Sequence, residues 1–290
     1  MTAVIFDLNG VLTNTAHINY SVLAEVFNKY SLGFDEQERF EVIMDMPADE
    51  RDTALRERYL KVLEEMDDTP VIEDHTKEPD EEEEPAEIIE NLPEEFFDEI
   101  RALFSERIEA YLQATDGIET LLKQLQLSGT DFYIAANDPV DTIMKRLKEA
   151  GLDEYFTPDN IVSADNVRRP KPAPDIYRAV GRKAGLDPKE LISVEAGPNG
   201  IKSASHAGAY VIGYTEHHYD FPGRGHVLFE RGASELASNS RELTRMIFSK
   251  LGTPAPKIMS DASNAKQTTL DLSDRDTGSQ KPSAPQHKPF

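Results

Sequence analysis

The chain has 290 residues, with 31 Lys and Arg against 54 Asp and Glu, a net charge of −23, 39% hydrophobic residues and neither Cys nor Trp. That length supports one large domain or two smaller ones. The acid excess argues against a nucleic-acid backbone as ligand, because displacing counterions from phosphates needs surplus Lys and Arg, and the lack of Cys excludes disulfides, thiolate metal sites and a Cys nucleophile.

Ala3-Val4-Ile5-Phe6 is a short β-rich apolar run of the kind buried on both faces of a parallel sheet. The apolar start carries Asp7 and no basic residue before it, so it reads as a strand and not a signal peptide. No window approaches the ~20 apolar residues of a membrane span. A soluble, cytoplasmic protein with no membrane partner is expected. After a turn at Gly10, Tyr20, Leu23, Val26, Phe27 and Tyr30 set a helical pattern, and helical signals continue from Phe40 to Met66.

Thr69 to Pro93 is low-complexity, with Pro70, Pro79, Pro85 and Pro93 around the run Glu81 to Glu84, and is expected to be a disordered loop. Between Glu73 and Glu99 there are 14 acids and one Lys, so −13 of the net charge sits on 27 residues. The acidity is therefore a local insertion, suited to solvation or to docking a basic protein partner.

A helix resumes at Glu94 and runs to about Leu112, and Asp116-Gly117 turns the chain into another, Ile118 to Leu127. Strands and helices then alternate: Phe132 to Ala135, helix Val140 to Ala150, Ile161 to Ser163, helix Ala173 to Ala184, Leu191 to Val194, helix Ile201 to Ala207, and Tyr210 to Gly213. A further strand at Val227-Leu228-Phe229 and a helix from Ser234 to Leu251 close the pattern, and from Thr253 the composition reads as a disordered tail. The alternation predicts right-handed crossovers, hence an α/β fold with a doubly wound, Rossmann-like parallel sheet. Its core spans residues 1–13 and 116–252, a mostly α-helical insertion occupies 14–115 with the acidic stretch 69–93 inside it, and residues 253–290 form the tail.

In such a sheet ligands bind beyond the carboxyl ends of the strands. Asp7-Leu8-Asn9-Gly10 follows the first strand and Ala135-Ala136-Asn137-Asp138 the second. Arg169-Pro170-Lys171-Pro172 follows the third, and Glu195-Ala196-Gly197-Pro198-Asn199-Gly200 the fourth. A nucleophilic carboxylate, a small polar site, a Lys and a second carboxylate converging on one point are the equipment of phosphoryl transfer.

These four segments, in this order, resemble the motifs of the haloacid dehalogenase superfamily, in the branch of capped phosphatases and β-phosphoglucomutase-like enzymes. The resemblance covers about Thr2 to Tyr214. It implies that Asp7 is the nucleophile forming an aspartyl phosphate and that Lys171 holds the nucleophile and phosphate charges together. It implies that Gly10, position 136, Asn137 and Lys171 bind the phosphoryl group. Asp7, residue 9 through its carbonyl, and Glu195 would hold Mg²⁺. Three positions depart from the family pattern: Asn9 stands for the acid/base Asp, Ala136 for a Ser or Thr, and Ala196 for a second metal-binding acid. An amide cannot exchange a proton near neutral pH, so Asn9 forfeits a factor of ~10²–10⁴. Ala136 loses a charge-assisted hydrogen bond of about 1.5–3 kcal/mol. Ala196 withholds an oxygen from a cation that demands near-octahedral geometry, so Mg²⁺ should bind weakly or not at all.

Two readings follow. The first is a pseudoenzyme, catalytically dead or strongly impaired and kept as a binding or regulatory module. The second is an active phosphatase or phosphomutase-type hydrolase of small phosphate esters that uses Asp7 with rewired acid/base chemistry and metal ligation. A small phosphorylated metabolite is the implied ligand of either. His17 and Asn19 on the first cap helix are rescue candidates, with solvated or packing roles as the plainer reading. His217-His218 suits surface roles better than a metal site, since neighbours on an extended segment point apart. Arg168-Arg169 faces a phosphate or a carboxylate, with surface charge as the plainer reading. Gln267-Thr268-Thr269-Leu270 lacks the aromatics of a sliding-clamp-binding peptide.

Overall fold

The structure, a computed structural model, describes residues 2–30, 52–57, 60, 92–216 and 224–258. Six strands form one sheet: β1 (Ala3–Phe6), β2 (Phe132–Ala136), β3 (Ile161–Ser163), β4 (Leu191–Glu195), β5 (Tyr210–Tyr214) and β6 (Glu235–Ala237). Their order is β3-β2-β1-β4-β5-β6 and every neighbouring pair is parallel. Parallel pairing needs crossovers, and helices supply them on both faces. The alternation of β1 shows how: Val4 and Phe6 join one buried cluster with Ile118, Leu121, Ile143, Leu243 and Ile247. Ala3 and Ile5 join another with Ile176, Val180, Ile201, Ala204 and Leu228. The first face is thus covered by α3 (Ile118–Ser128), α4 (Val140–Glu149) and α8 (Ser240–Leu251), the second by α5 (Asp175–Ala184), α6 (Pro198–Ala207) and α7 (Arg224–Glu230). Strand order reverses at β1, and the crevice beyond its carboxyl end, beside β4, is where this architecture binds ligands.

The predicted strand at Val227-Leu228-Phe229 is a helix. Leu228 is fully buried under the sheet while Phe229 is 49% exposed, and a three-residue apolar run satisfies a helix face as readily as a strand. The predicted helix from Ser234 is two elements: Ser234 N–H donates to Val211 O at 2.7 Å and starts the β6 edge, and α8 begins only at Ser240. Asn239 fixes that start as an N-cap, its side chain accepting from Glu242 N–H at 2.9 Å. Residues 253–258, read from composition as the start of a tail, lie against the core: Ala255 packs on the sheet cluster and Pro256 O accepts from Gln124 Nε2 at 2.9 Å. Residues 259–290 lie outside the described residues, as do 61–91, which hold most of the acidic stretch, and 217–223, which hold His217 and His218.

Between β1 and α3 the chain leaves the sheet and returns. Asn14 N–H donates to Gln113 O at 3.1 Å, Gln113 N–H to Asn14 Oδ1 at 2.9 Å and Thr115 N–H to Leu12 O at 3.0 Å, so the outgoing and incoming strands of this connection are tied side by side. Beyond it α1 (Thr15–Lys29) and α2 (Glu94–Tyr111) pack together. Their apolar stripes, with Leu55 of the helical segment 52–57, bury Val22, Leu23, Val26, Phe27, Leu92, Phe96, Phe97 and Ile100 in a core of their own. Phe96 carries that core, with ring centroids 5.5 Å from Phe27, 5.1 Å from Tyr30 and 5.1 Å from Phe97. This helical unit lies where the cap is expected.

Candidate active site

Asp7 is the first residue past β1 and is 6% exposed; its N–H donates to Val194 O at 3.0 Å, which stitches it to the end of β4. Gly10, at φ 77°, makes the sharp turn that follows, a backbone conformation L side chains rarely adopt. Its N–H donates to Thr13 O at 2.8 Å, so the amide expected to face a phosphate is engaged within the turn.

Lys171 is 1% exposed, and its ammonium lies 2.9 Å from Asp7 Oδ1 and 2.8 Å from Glu195 Oε1. Asn137 holds the Lys171 loop: its Oδ1 accepts from Lys171 N–H at 3.0 Å and its Nδ2 donates to Lys171 O at 3.4 Å. Asn137, expected as a phosphate ligand, therefore positions the lysine. Burial pushes the Asp7 carboxyl above its ordinary pKa, the Lys171 charge and hydrogen bond pull it back, and the charge of Asp138 adds to the push upward.

Glu195 ends β4 with no exposed surface. Tyr177, fully buried on α5, donates its hydroxyl to Glu195 Oε1, and Ser193 Oγ in turn donates to the Tyr177 hydroxyl at 2.9 Å. The Glu195 carboxylate also rests against the first turn of α6, where a helix N-terminus favours negative charge. A Cβ built on Gly200 would stand 1.7 Å from Glu195 Oε2 and 2.6 Å from its Cδ. Replacing Gly200 by Ala is therefore expected to cost about 3 kcal/mol, at the upper end of ordinary overpacking, in urea denaturation of the whole chain. Unchanged stability would show that the carboxylate leaves this position freely.

The three substituted positions behave differently from one another. Ala136 and Ala196 are buried, 0% and 1% exposed, with their methyl groups in the sheet cluster below the cleft. Asn9 is held on both ends of its amide. Its Oδ1 accepts from Thr15 Oγ1 at 3.0 Å and from Arg146 Nη1 at 2.9 Å, and its Nδ2 donates to Asp138 Oδ2 at 2.8 Å. Arg146 Nη1 also lies 3.2 Å from Asp138 Oδ1.

The structure thus brings Asp7, Lys171 and Glu195 into one buried cluster, with Asn9, Gly10 and Asn137 on the loops around it. It leaves out His17, exposed on the first turn of α1. It also leaves out Arg169, whose guanidinium pairs with Asp175 through Nε at 3.1 Å and Nη2 at 2.8 Å. Tyr177, Ser193, Thr15, Asp138 and Arg146 were not singled out from the sequence. Ser193 carried a signal: it and Glu195 are two apart on a strand buried on both faces, so both polar side chains point to the same side. Among the described residues, no three acidic or imidazole side chains gather as a cation site.

Residues 1–208 match the family model of haloacid dehalogenase-like hydrolases. The chain belongs to that family. A haloacid dehalogenase-like protein of unknown function from Agrobacterium tumefaciens superimposes with a TM-score of 0.67 at 24% identity, over 87% of this chain and 99% of that one. A haloacid dehalogenase family hydrolase from Deinococcus radiodurans, solved with bound phosphate and sodium, gives 0.64 at 22% identity over 88% and 99%. These share the fold, as do structures bearing β-phosphoglucomutase and phosphoglycolate phosphatase names. Hexitol phosphatase A of Escherichia coli is 42% identical over 55 residues, 19% of this chain and 26% of that protein, so the chain matches about a quarter of the curated relative's length.

Proposed function

We propose that this haloacid dehalogenase-like chain is a pseudoenzyme, a binding or regulatory module for a small phosphorylated ligand whose hydrolytic turnover is lost or strongly impaired. One observation carries the reading: the anchoring part of the site, Asp7 with Lys171 at 2.9 Å and Glu195 beyond it, is assembled and buried, while the positions that would move a proton, donate to the phosphoryl group and add a metal ligand are an amide and two methyl groups. Both Lys171 and Tyr177 are directed at Glu195 Oε1, and Ala196 has no side-chain oxygen. Mg²⁺ holds its ligands near 2.0–2.1 Å in octahedral geometry and is hard to dehydrate. Asp7, Glu195 and the Asn9 carbonyl do not fit that demand, so metal binding is weakened and no step of the reading runs through it.

The second reading, a hydrolase of small phosphate esters using Asp7, is favoured by the Asp7–Lys171 contact itself, which is what a nucleophilic carboxylate needs to tolerate an incoming phosphate. Turnover separates the two. Purified protein with Mg²⁺, p-nitrophenyl phosphate and a panel of sugar phosphates is expected to give a rate no higher than its Asp7→Ala control. A rate that vanishes in that control establishes the hydrolase.

The acidic stretch belongs to the same proposal. Its −13 over residues 73–99 suits a basic protein partner, and near a phosphate-ester site it would repel anions only within a Debye length of ~8–10 Å. Among the described residues no helix is long and apolar enough to cross a membrane.

A further inference from the structure

Asp138 and Arg146 stand at the mouth of the cleft, and neither has a place in the reading above. Asp138 follows Asn137 at the carboxyl end of β2; Arg146 reaches back to it from α4. Their side chains are 22% and 12% exposed, so the pair is mostly buried with an edge toward solvent. Three contacts make it a built arrangement. Arg146 Nη1 serves Asp138 Oδ1 at 3.2 Å and Asn9 Oδ1 at 2.9 Å, and Asn9 Nδ2 closes the ring by donating to Asp138 Oδ2 at 2.8 Å. On its far side the Arg146 guanidinium lies 5.7 Å from the centroid of Phe104, on cap helix α2. One cation therefore touches the core loop after β1, the core loop after β2 and the cap.

The ring of contacts explains why residue 9 is an amide here. With Asp at that position, two carboxylate oxygens would meet across 2.8 Å, which like charges do not tolerate unless one takes a proton. Asn supplies a donor toward Asp138 and an acceptor toward Arg146 and Thr15, so each end of the amide has a partner. The carboxylate at the mouth is thus carried by residue 138, and its charge reaches Asp7.

We infer that Asp138 and Arg146 form the charge filter of the cleft: Asp138 sets a negative potential over the Asp7–Lys171 site, Arg146 masks it, and together they set the affinity for a phosphate-type anion. The inference rests on the cleft being an anion site but not on whether it turns over, so its test reads binding alone. Two charges at this separation in a partly buried cleft change anion affinity severalfold or more at moderate ionic strength.

Inorganic phosphate is the probe, titrated into the full chain in low-salt buffer and followed by calorimetry or phosphorus NMR. Asp138→Asn is expected to tighten phosphate by about fivefold or more and Arg146→Gln to weaken it by about fivefold or more, since charge complementarity acts in opposite directions at the two positions. Arg146→Lys, which keeps the charge, should stay within about twofold of wild type, and the double variant Asp138→Asn with Arg146→Gln should return to about the wild-type value. All differences should shrink at higher salt. A purely structural role for the pair would weaken binding in both single variants and further in the double. That pattern, or the same affinity in all five proteins including none in any, overturns the inference. Circular dichroism on each variant excludes a folding defect as the cause, and Asp138→Asn, which keeps the shape and retains one acceptor oxygen for Asn9 Nδ2 or Arg146, remains readable even where Arg146→Gln unfolds.

Discussion

Replacing Lys171 by Met should lower the stability of the folded chain by about 3–5 kcal/mol, the scale set by removing one member of a buried ion pair. Lys171 is a buried cation, with side-chain exposure of 2%, and it faces Asp7 at 9% and Glu195 at 0%. Met fills much of the volume of the Lys stem, so the loss is mainly electrostatic and not a cavity. What remains is two carboxylates in a site that already pushes Asp7 upward by burial, now without the cation that pulls it back. Such carboxylates have folded-state pKa values above those of the unfolded chain. The sign then follows from linkage. Protonated at low pH, the two groups cost little; as pH rises through their raised folded values the unfolded chain ionises freely and the folded one cannot, so the defect grows. Urea denaturation of Lys171→Met is thus expected to show its smallest gap to wild type near pH 5 and its largest near pH 8. A gap that is constant across that range would mean the cluster is not held by the lysine charge.

How the site could be read from the sequence follows from the same geometry. Asp7, Lys171 and Glu195 were legible because Asp7 follows β1, Glu195 ends β4 and Lys171 lies in the connection after β3, all strands whose apolar runs mark them as buried on both faces, and parallel strands deliver their carboxyl ends to one edge. The Asp7 and Lys171 side chains then meet although 164 residues apart in sequence. The cap helices α1 and α2 were legible from their spacing. The last strand was not: β6 is three residues long with Glu235 exposed, and its hydrogen bonds to β5, not its composition, make it a strand. Asn137 illustrates a different limit. A polar residue at a strand end reads as a ligand contact, yet its amide is engaged with the Lys171 backbone, a use visible only once the β3–α5 connection lies beside it. Arg146 is further from reach still. On α4 it reads as helix surface, and its basic side chain sits near the carboxyl-terminal turn where the helix dipole alone accounts for it. That it turns inward to Asn9 depends on the cap packing above it and on Asp138, whose partner could not be named from spacing.

This difference alters what restoring the family pattern requires, and with it the largest change in activity expected of any variant. Asn9→Asp, Ala136→Ser and Ala196→Asp together return the acid/base group, the phosphoryl hydroxyl and the second metal ligand. In this chain they also set a new carboxylate against Asp138, where an amide nitrogen now lies 2.8 Å from its oxygen. One of the two acids would then hold a proton at neutral pH or swing away, and Arg146 cannot serve both fully with the single Nη1 that faces them. The triple variant is therefore expected to gain little. Adding Asp138→Asn reverses the polarity of the contact: the amide moves to position 138, the carboxylate to position 9, and Arg146 pairs with the relocated carboxylate as it now pairs with Asp138. The quadruple variant with Mg²⁺ should exceed the triple by at least ~10²-fold on p-nitrophenyl phosphate, the low end of what a positioned general acid contributes, and Asp7→Ala in that background should abolish the gain. Ala196 is the demanding member, since its methyl is packed in the sheet cluster, and a carboxylate there must find a rotamer toward the cleft or cost stability as a buried unpaired charge. Equal rates in triple and quadruple variants would show that Asn9 and Asp138 are not a coupled pair. Loss of the gain on reverting Ala196→Asp alone would place the remaining defect in the metal and not in the proton.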